Sequence, residues 1–108
     1  MLNKQTTLYL YRGASSSIDF DFTNFEFNGG KCIFTISNLC KKENLLQFEF
    51  NEKRKYTMII TDKFTKTLKD NKYLYNIMFI INNERYPQCA DSDIIVRNVV
   101  NAYDGNSN

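Results

Sequence analysis

Two pairs of carboxylates are the residues of this chain best spaced for chemistry. Asp19 and Asp21 stand two apart, as do Asp91 and Asp93, and in extended backbone residues two apart share a face. Such pairs can bind calcium or divide the acid and base roles of a reaction. The plainer reading is a solvated polar face. Asp19 and Asp21 alternate with Ile18, Phe20 and Phe22, as a half-exposed strand requires, and that pattern favours it. Lys41-Lys42 and Lys53-Arg54-Lys55, with Phe48 and Tyr56 nearby, would suit single-stranded nucleic acid held by charge and stacking. Glu43, Glu49 and Glu52 are interleaved with them, which instead describes mixed-charge, solvated turns. Ser15, Ser16 and Ser17 offer hydroxyls, but the chain has no histidine to activate one, and no GxSxG elbow. Gly29-Gly30 lacks the spacing of a phosphate loop.

Cys32, Cys40 and Cys89 form no CxxC pair, a poor basis for zinc or a disulfide framework. Cys32 and Cys40 could meet across neighbouring strands, subject to the distance limits of a disulfide. The simpler reading is free, partly buried thiols, which suits synthesis in a reducing cytoplasm. No metal and no cofactor are expected. Net charge is +2, without the clustered basic excess of a dedicated nucleic-acid binder. Met1 to Gln5 lead into a strand and not into the apolar core of a signal peptide. The longest apolar run, Ile77 to Ile81, has five residues, too few to cross a bilayer. No nucleic-acid and no membrane partner is expected.

The elements that would position these residues follow from hydrophobic periodicity. The chain has 108 residues, of which 43% are hydrophobic and 15% aromatic, enough for one core. Residues 1–103 read as one domain and 104–108 as a frayed tail. Leu8 and Leu10 alternate with Tyr9 and Tyr11, and Ile18, Phe20 and Phe22 with polar residues. Cys32, Phe34 and Ile36 share one face, as do Leu46, Phe48 and Phe50, and Tyr56, Met58 and Ile60. Between Thr23 and Phe25 the parity of the aromatics shifts, so a bulge or bend belongs there. Asn51 to Arg54 read as a tight hairpin turn. Thr61 or Asp62 can cap a short helix over 62–69, with Phe64 and Leu68 four apart on one face. A long strand runs from Lys72 to Ile81, with Tyr73, Tyr75, Ile77, Phe79 and Ile81 on one side. After a turn at 82–84 the chain returns, with Pro87 limited to an edge or a strand start. Ile94 and Val96, with Val99 as a further candidate, finish the sheet. Seven or eight short strands with a turn about every ten residues indicate an all-β, immunoglobulin-like antiparallel sandwich with one short helix.

Several segments together resemble the N-terminal domain of phage baseplate upper proteins and related small tail proteins of prophages. They are Tyr11-Arg12-Gly13-Ala14 at the end of the first strand, the alternating Ile18-Asp19-Phe20-Asp21-Phe22, and Gly29-Gly30 leading into Lys31 to Ile36. The others are Asn71-Lys72-Tyr73-Leu74-Tyr75-Asn76-Ile77 after a short helix, and Ser92-Asp93-Ile94-Ile95-Val96. Ala14 stands where that family has Asp, Asn71 where it has Gly and Asn76 where it has Asp. The resemblance covers roughly residues 7–100. It implies a non-enzymatic virion building block, made in the host bacterial cytoplasm and docked onto other virion structural proteins in a symmetric multi-copy assembly. Tyr9 and Tyr11 lie opposite Leu8 and Leu10, so both faces of the first strand are apolar or aromatic. Either the tyrosines merely cover one side or they meet a neighbouring subunit, since Tyr is enriched at interfaces. Tyr9 and Tyr11 are therefore the expected subunit contact. The alternative is a ligand- or glycan-binding module for host attachment, for which the Phe25, Phe27 and Asn28 loop is the candidate platform.

Overall fold

The computed structural model describes residues 6–39 and 43–98. Seven strands and one short helix follow in order: β1 (Leu8–Arg12), β2 (Ser16–Asp21), β3 (Lys31–Asn38), β4 (Asn44–Phe50), β5 (Lys55–Ile60), α1 (Asp62–Thr65), β6 (Lys72–Ile81) and β7 (Glu84–Asn98). They form a five-stranded sheet in the order β1-β7-β6-β3-β4, faced by a two-stranded sheet of β2 and β5. Cys40, Lys41, Lys42, Val99 and the expected tail at 104–108 lie outside the described residues.

Period-two patterning accounts for the core. Cys32, Phe34 and Ile36 of β3, Tyr73 and Tyr75 of β6, and Ile94 and Val96 of β7 are buried from the large sheet, with Met58 and Ile60 of β5 opposite. Each alternates with a more exposed neighbour, as one buried face per sheet requires. The topology is that of an immunoglobulin-like sandwich. Tyr75 and Phe34 stack at 5.6 Å, where an antibody domain packs Trp on its disulfide. Two residues before Tyr75, the Tyr73 hydroxyl accepts from the Asp70 N–H at 3.0 Å, which is the tyrosine corner of such sandwiches.

Three expectations are corrected. The sandwich is not wholly antiparallel: β1 runs parallel to β7, Leu8 opposite Ile94 and Arg12 opposite Asn98. The 51–54 turn is no hairpin. It carries the chain from β4 in the large sheet to β5 in the small one, with the Phe50 and Tyr56 rings 4.7 Å apart. A short polar turn serves either connection, and only burial of both flanking rings between the layers decides. The helix is shorter than 62–69. It spans Asp62–Thr65, capped by the Thr61 side chain accepting from the Phe64 N–H, and Leu68 is buried from the turn that follows.

The return strand is one continuous element. Pro87 lies inside β7, opposite Met78. It is tolerated because β1 pairs only with Ile94 to Asn98, so at Pro87 β7 is an edge. Across β6 the register shifts around Ile77, and Asp91 has a φ of +53°. The Asn76 carboxamide oxygen accepts from the Asp91 N–H at 2.8 Å, holding this bulge. The expected bend after β2 is present: Phe22 and Phe27 both turn inward, and Gly30 then passes so close to β6 that a Cβ there would lie 2.1 Å from the Ile80 carbonyl oxygen.

Candidate functional site

β1 is an edge of the large sheet, and its alternation places each side chain. Leu10 is 2% exposed and Leu8 packs against the core, whereas Tyr9 is 48% and Tyr11 39% exposed on the outer face. Tyr9 lies opposite Ile95, and Tyr11 opposite Arg97. The Arg97 guanidinium sits 4.7 Å from the centre of the Tyr9 ring, a cation–π contact that orients the ring without covering its outer edge. The two tyrosines that the sequence singles out thus share one accessible face.

Directed bonds hold β1 at both ends. At its start the Tyr75 hydroxyl donates to the Thr6 carbonyl. Burial above all, then the neighbouring Cys89, pushes the Tyr75 hydroxyl pKa upward. At its end, Arg12 donates from Nε to the Leu68 carbonyl (2.6 Å) and from Nη1 to Asn98 Oδ1 (2.6 Å). Its Nη2 reaches the Asp70 carbonyl (2.8 Å) and Asn71 Oδ1 (3.1 Å). One guanidinium therefore fastens β1 to the α1–β6 loop and to the end of β7. The fully buried Thr65 adds to it, its Oγ1 accepting from the Gly13 N–H at 3.1 Å and donating to the Ala14 carbonyl at 3.0 Å. An edge strand fixed at both ends presents a pre-ordered surface.

The other expected sites are dispersed. Asp19 accepts from Thr57 Oγ1 at 2.9 Å. Asp21 accepts from the hydroxyl and N–H of Thr23, which lower its pKa in that order. Asp93 pairs with Lys72 at 3.5 Å, and Asp91 stands apart in the bulge. Among the described residues no group of three His, Cys, Asp or Glu is placed to hold a metal ion. Lys53 pairs with Glu26, and Arg54 pairs with Glu52 while covering the Tyr56 ring at 3.9 Å. Lys53 and Arg54 are thus spent on neighbours within the molecule. Ser15 Oγ accepts from the Asp62 N–H at 3.0 Å. Cys32 and Cys89 are buried free thiols, and burial pushes Cys32 up to about 12.

The expected Phe25, Phe27 and Asn28 platform is not formed, because Phe27 is only 6% exposed. A different aromatic cleft of about 310 Å³ lies nearby, lined by Phe25, Phe79, Ile81, Tyr86 and Gln88. It exists because the two-stranded layer is too narrow to cover the inner face of the β6–β7 hairpin. Phe25 lies 4.5 Å from Phe79, and the half-exposed Tyr86 donates its hydroxyl to Glu84. Tyr86 and Gln88 are missed in the linear reading. Asn82 and Asn83 both have positive φ, as a two-residue primed turn demands, and counting outward from it sets Tyr86 opposite Phe79.

No protein-family model and no curated protein matches the chain. Among solved structures it is similar to an extracellular domain of the voltage-gated sodium channel beta4 subunit, described as a parallel homodimer with a role in cell-cell adhesion. The two are 12% identical, the match covers 92% of this chain and 94% of that one, and the TM-score is 0.42.

Proposed function

We propose that this chain is a non-enzymatic structural subunit of a phage virion, in the tail, baseplate, connector or capsid-associated layer, and that it docks onto other virion proteins through the outer face of β1. The observation that carries this reading is the pair Tyr9 and Tyr11, exposed side by side on an edge strand that is fastened at both ends. Large rigid aromatics at low ordering cost are what an interface uses. The phage identity rests on the motif resemblance alone. Buried thiols without a disulfide partner fit synthesis in a bacterial cytoplasm.

A second reading has its own observation. The Phe25, Phe79, Tyr86 and Gln88 cleft joins aromatic faces to an amide, the combination a glycan-binding module for host attachment would need. Copy number separates the two, since an assembly subunit occupies every equivalent position of a particle.

Changing Tyr9 and Tyr11 together to Lys tests the docking reading. The isolated domain should stay folded, because Leu8 and Leu10 still face the core. Incorporation into purified particles, measured by quantitative mass spectrometry, should fall, because charge has entered a surface meant to be desolvated. Particles that carry the double variant at normal copy number would place the docking surface elsewhere.

A further inference from the structure

We infer that the partner of β1 is β1 of a second copy of this chain, paired edge to edge and antiparallel about a two-fold axis, so that the two large sheets become one. This rests on the reading that β1 is the docking strand and names what it docks onto.

The large sheet ends at β1 and β4, the part of β7 before Ile94 is a further edge that carries Glu84, Arg85, Asp91 and Asp93, and the small sheet consists of two edges, β2 and β5. Charges on an edge block pairing with another chain, and self-pairing is the most sensitive case because it brings each charge near its own copy. β2 carries Asp19 and Asp21, β4 carries Glu49, and β5 carries Lys55. In β1 the residues from Leu8 to Tyr11 are uncharged. Its single charge, Arg12, is drawn away from the edge onto Leu68, Asp70, Asn71 and Asn98. The run from Leu8 to Tyr11 can therefore meet its own copy without like-charge repulsion.

Its pattern is also self-complementary. In an antiparallel pair centred on Leu10, Tyr9 of one copy lies opposite Tyr11 of the other, and Leu10 opposite Leu10. Any register centred on a residue keeps tyrosines with tyrosines on the outer face and leucines with leucines on the core side, because side chains alternate with period two. Cross-strand aromatic pairs then stabilise the outer face, while the outward backbone N–H and C=O groups of both strands find partners. With Leu10 at the centre, Arg12 falls opposite Leu8, so the two guanidinia stand at opposite ends of the pair. An interface of this kind is isologous and closes at two copies.

Sedimentation equilibrium on the whole chain tests this, using wild type, Tyr9→Lys with Tyr11→Lys, and Tyr9→Asp with Tyr11→Asp. Wild type should be dimeric at about 100 μM, where micromolar contacts are largely formed. Each double variant should weaken self-association at least ~30-fold, the loss of a hot-spot pair. A 1:1 mixture of the Lys and Asp variants should restore a dimer, since residues 9 and 11 of one chain then face opposite charge on the other. A variant that had merely unfolded would give no such rescue. A monomeric wild type, or a dimer that survives in both variants, overturns the proposal, and so does failure of the mixture to pair. If wild type is monomeric yet the Lys variant is still lost from particles, self-pairing falls and docking through β1 stands.

Discussion

The two ends of the sandwich are held by different physics. At the α1 end, named atoms do the holding. Arg12 makes four bonds, Thr65 bridges α1 to Gly13 and Ala14, and Tyr73 closes its corner on Asp70. At the opposite end the contacts are rings. Phe22 lies within 5.2–6.3 Å of Phe20, Phe25, Phe27, Phe50, Tyr56 and Phe79, centroid to centroid. Directed bonds fix geometry one atom at a time, whereas a ring cluster fixes volume and tolerates several arrangements. The end that must present β1 in one position is the bonded one. The end with the aromatic cleft is the one filled by shape.

The aromatic end should respond most strongly to truncation. Phe22→Ala should cost about 3–5 kcal/mol in urea unfolding, the range for emptying a buried phenylalanine site. A loss below ~1 kcal/mol would mean the neighbouring rings collapse to fill the space. Arg12→Met should cost less, about 1.5–3 kcal/mol, because it removes bonds to a charged group and strands the Leu68 and Asp70 carbonyls. Hydrogen exchange sharpens this test. Arg12→Met should speed exchange in β1 and the α1–β6 loop and leave residues 22–30 unchanged, whereas uniform acceleration would show that the two ends are not independent.

The most gradual effect is in alkali. The Cys32 thiol is held protonated to about 12 against an ordinary value of 9.0, and the Tyr75 hydroxyl is raised as well. A group whose folded pKa is raised contributes its full stability below the unfolded value and loses it as pH climbs toward the folded one. The contribution of these groups should therefore be flat below pH 9 and fall above it, by about 1.4 kcal/mol per pH unit for one such group. Cys32→Ala should flatten that slope, and an unchanged slope would assign it to other groups.

Much of the architecture is legible in the residues, and the gaps share one cause. Strand positions, the Thr61 cap and the outward set of Tyr9 and Tyr11 come from local periodicity, which the backbone obeys wherever one face is buried. The parallel pairing of β1 with β7, the sheet change after Phe50 and the anchoring of Arg12 depend on partners distant in sequence, about which local pattern is silent. Phe27 shows the same limit. It sits in irregular backbone, where no period relates its position to a face, and only the ring cluster decides that it turns inward. The cleft at Tyr86 is intermediate, because the Asn82-Asn83 turn fixes its register once the turn type is known.

The pairing of β1 with β7 also has a consequence in time. Leu8 meets Ile94 and Arg12 meets Asn98, nearly the whole described chain apart. Contacts of such separation form late, since the intervening chain must first be ordered. During synthesis β1 leaves the ribosome well before Ile94 to Asn98, its neighbours in the sheet. Until Asn98 has emerged there is no place for β1 to dock, and Tyr9 and Tyr11 share no fixed surface. The same two residues are therefore silent until β7 is in place and present a surface only afterwards, so this topology by itself orders folding before association.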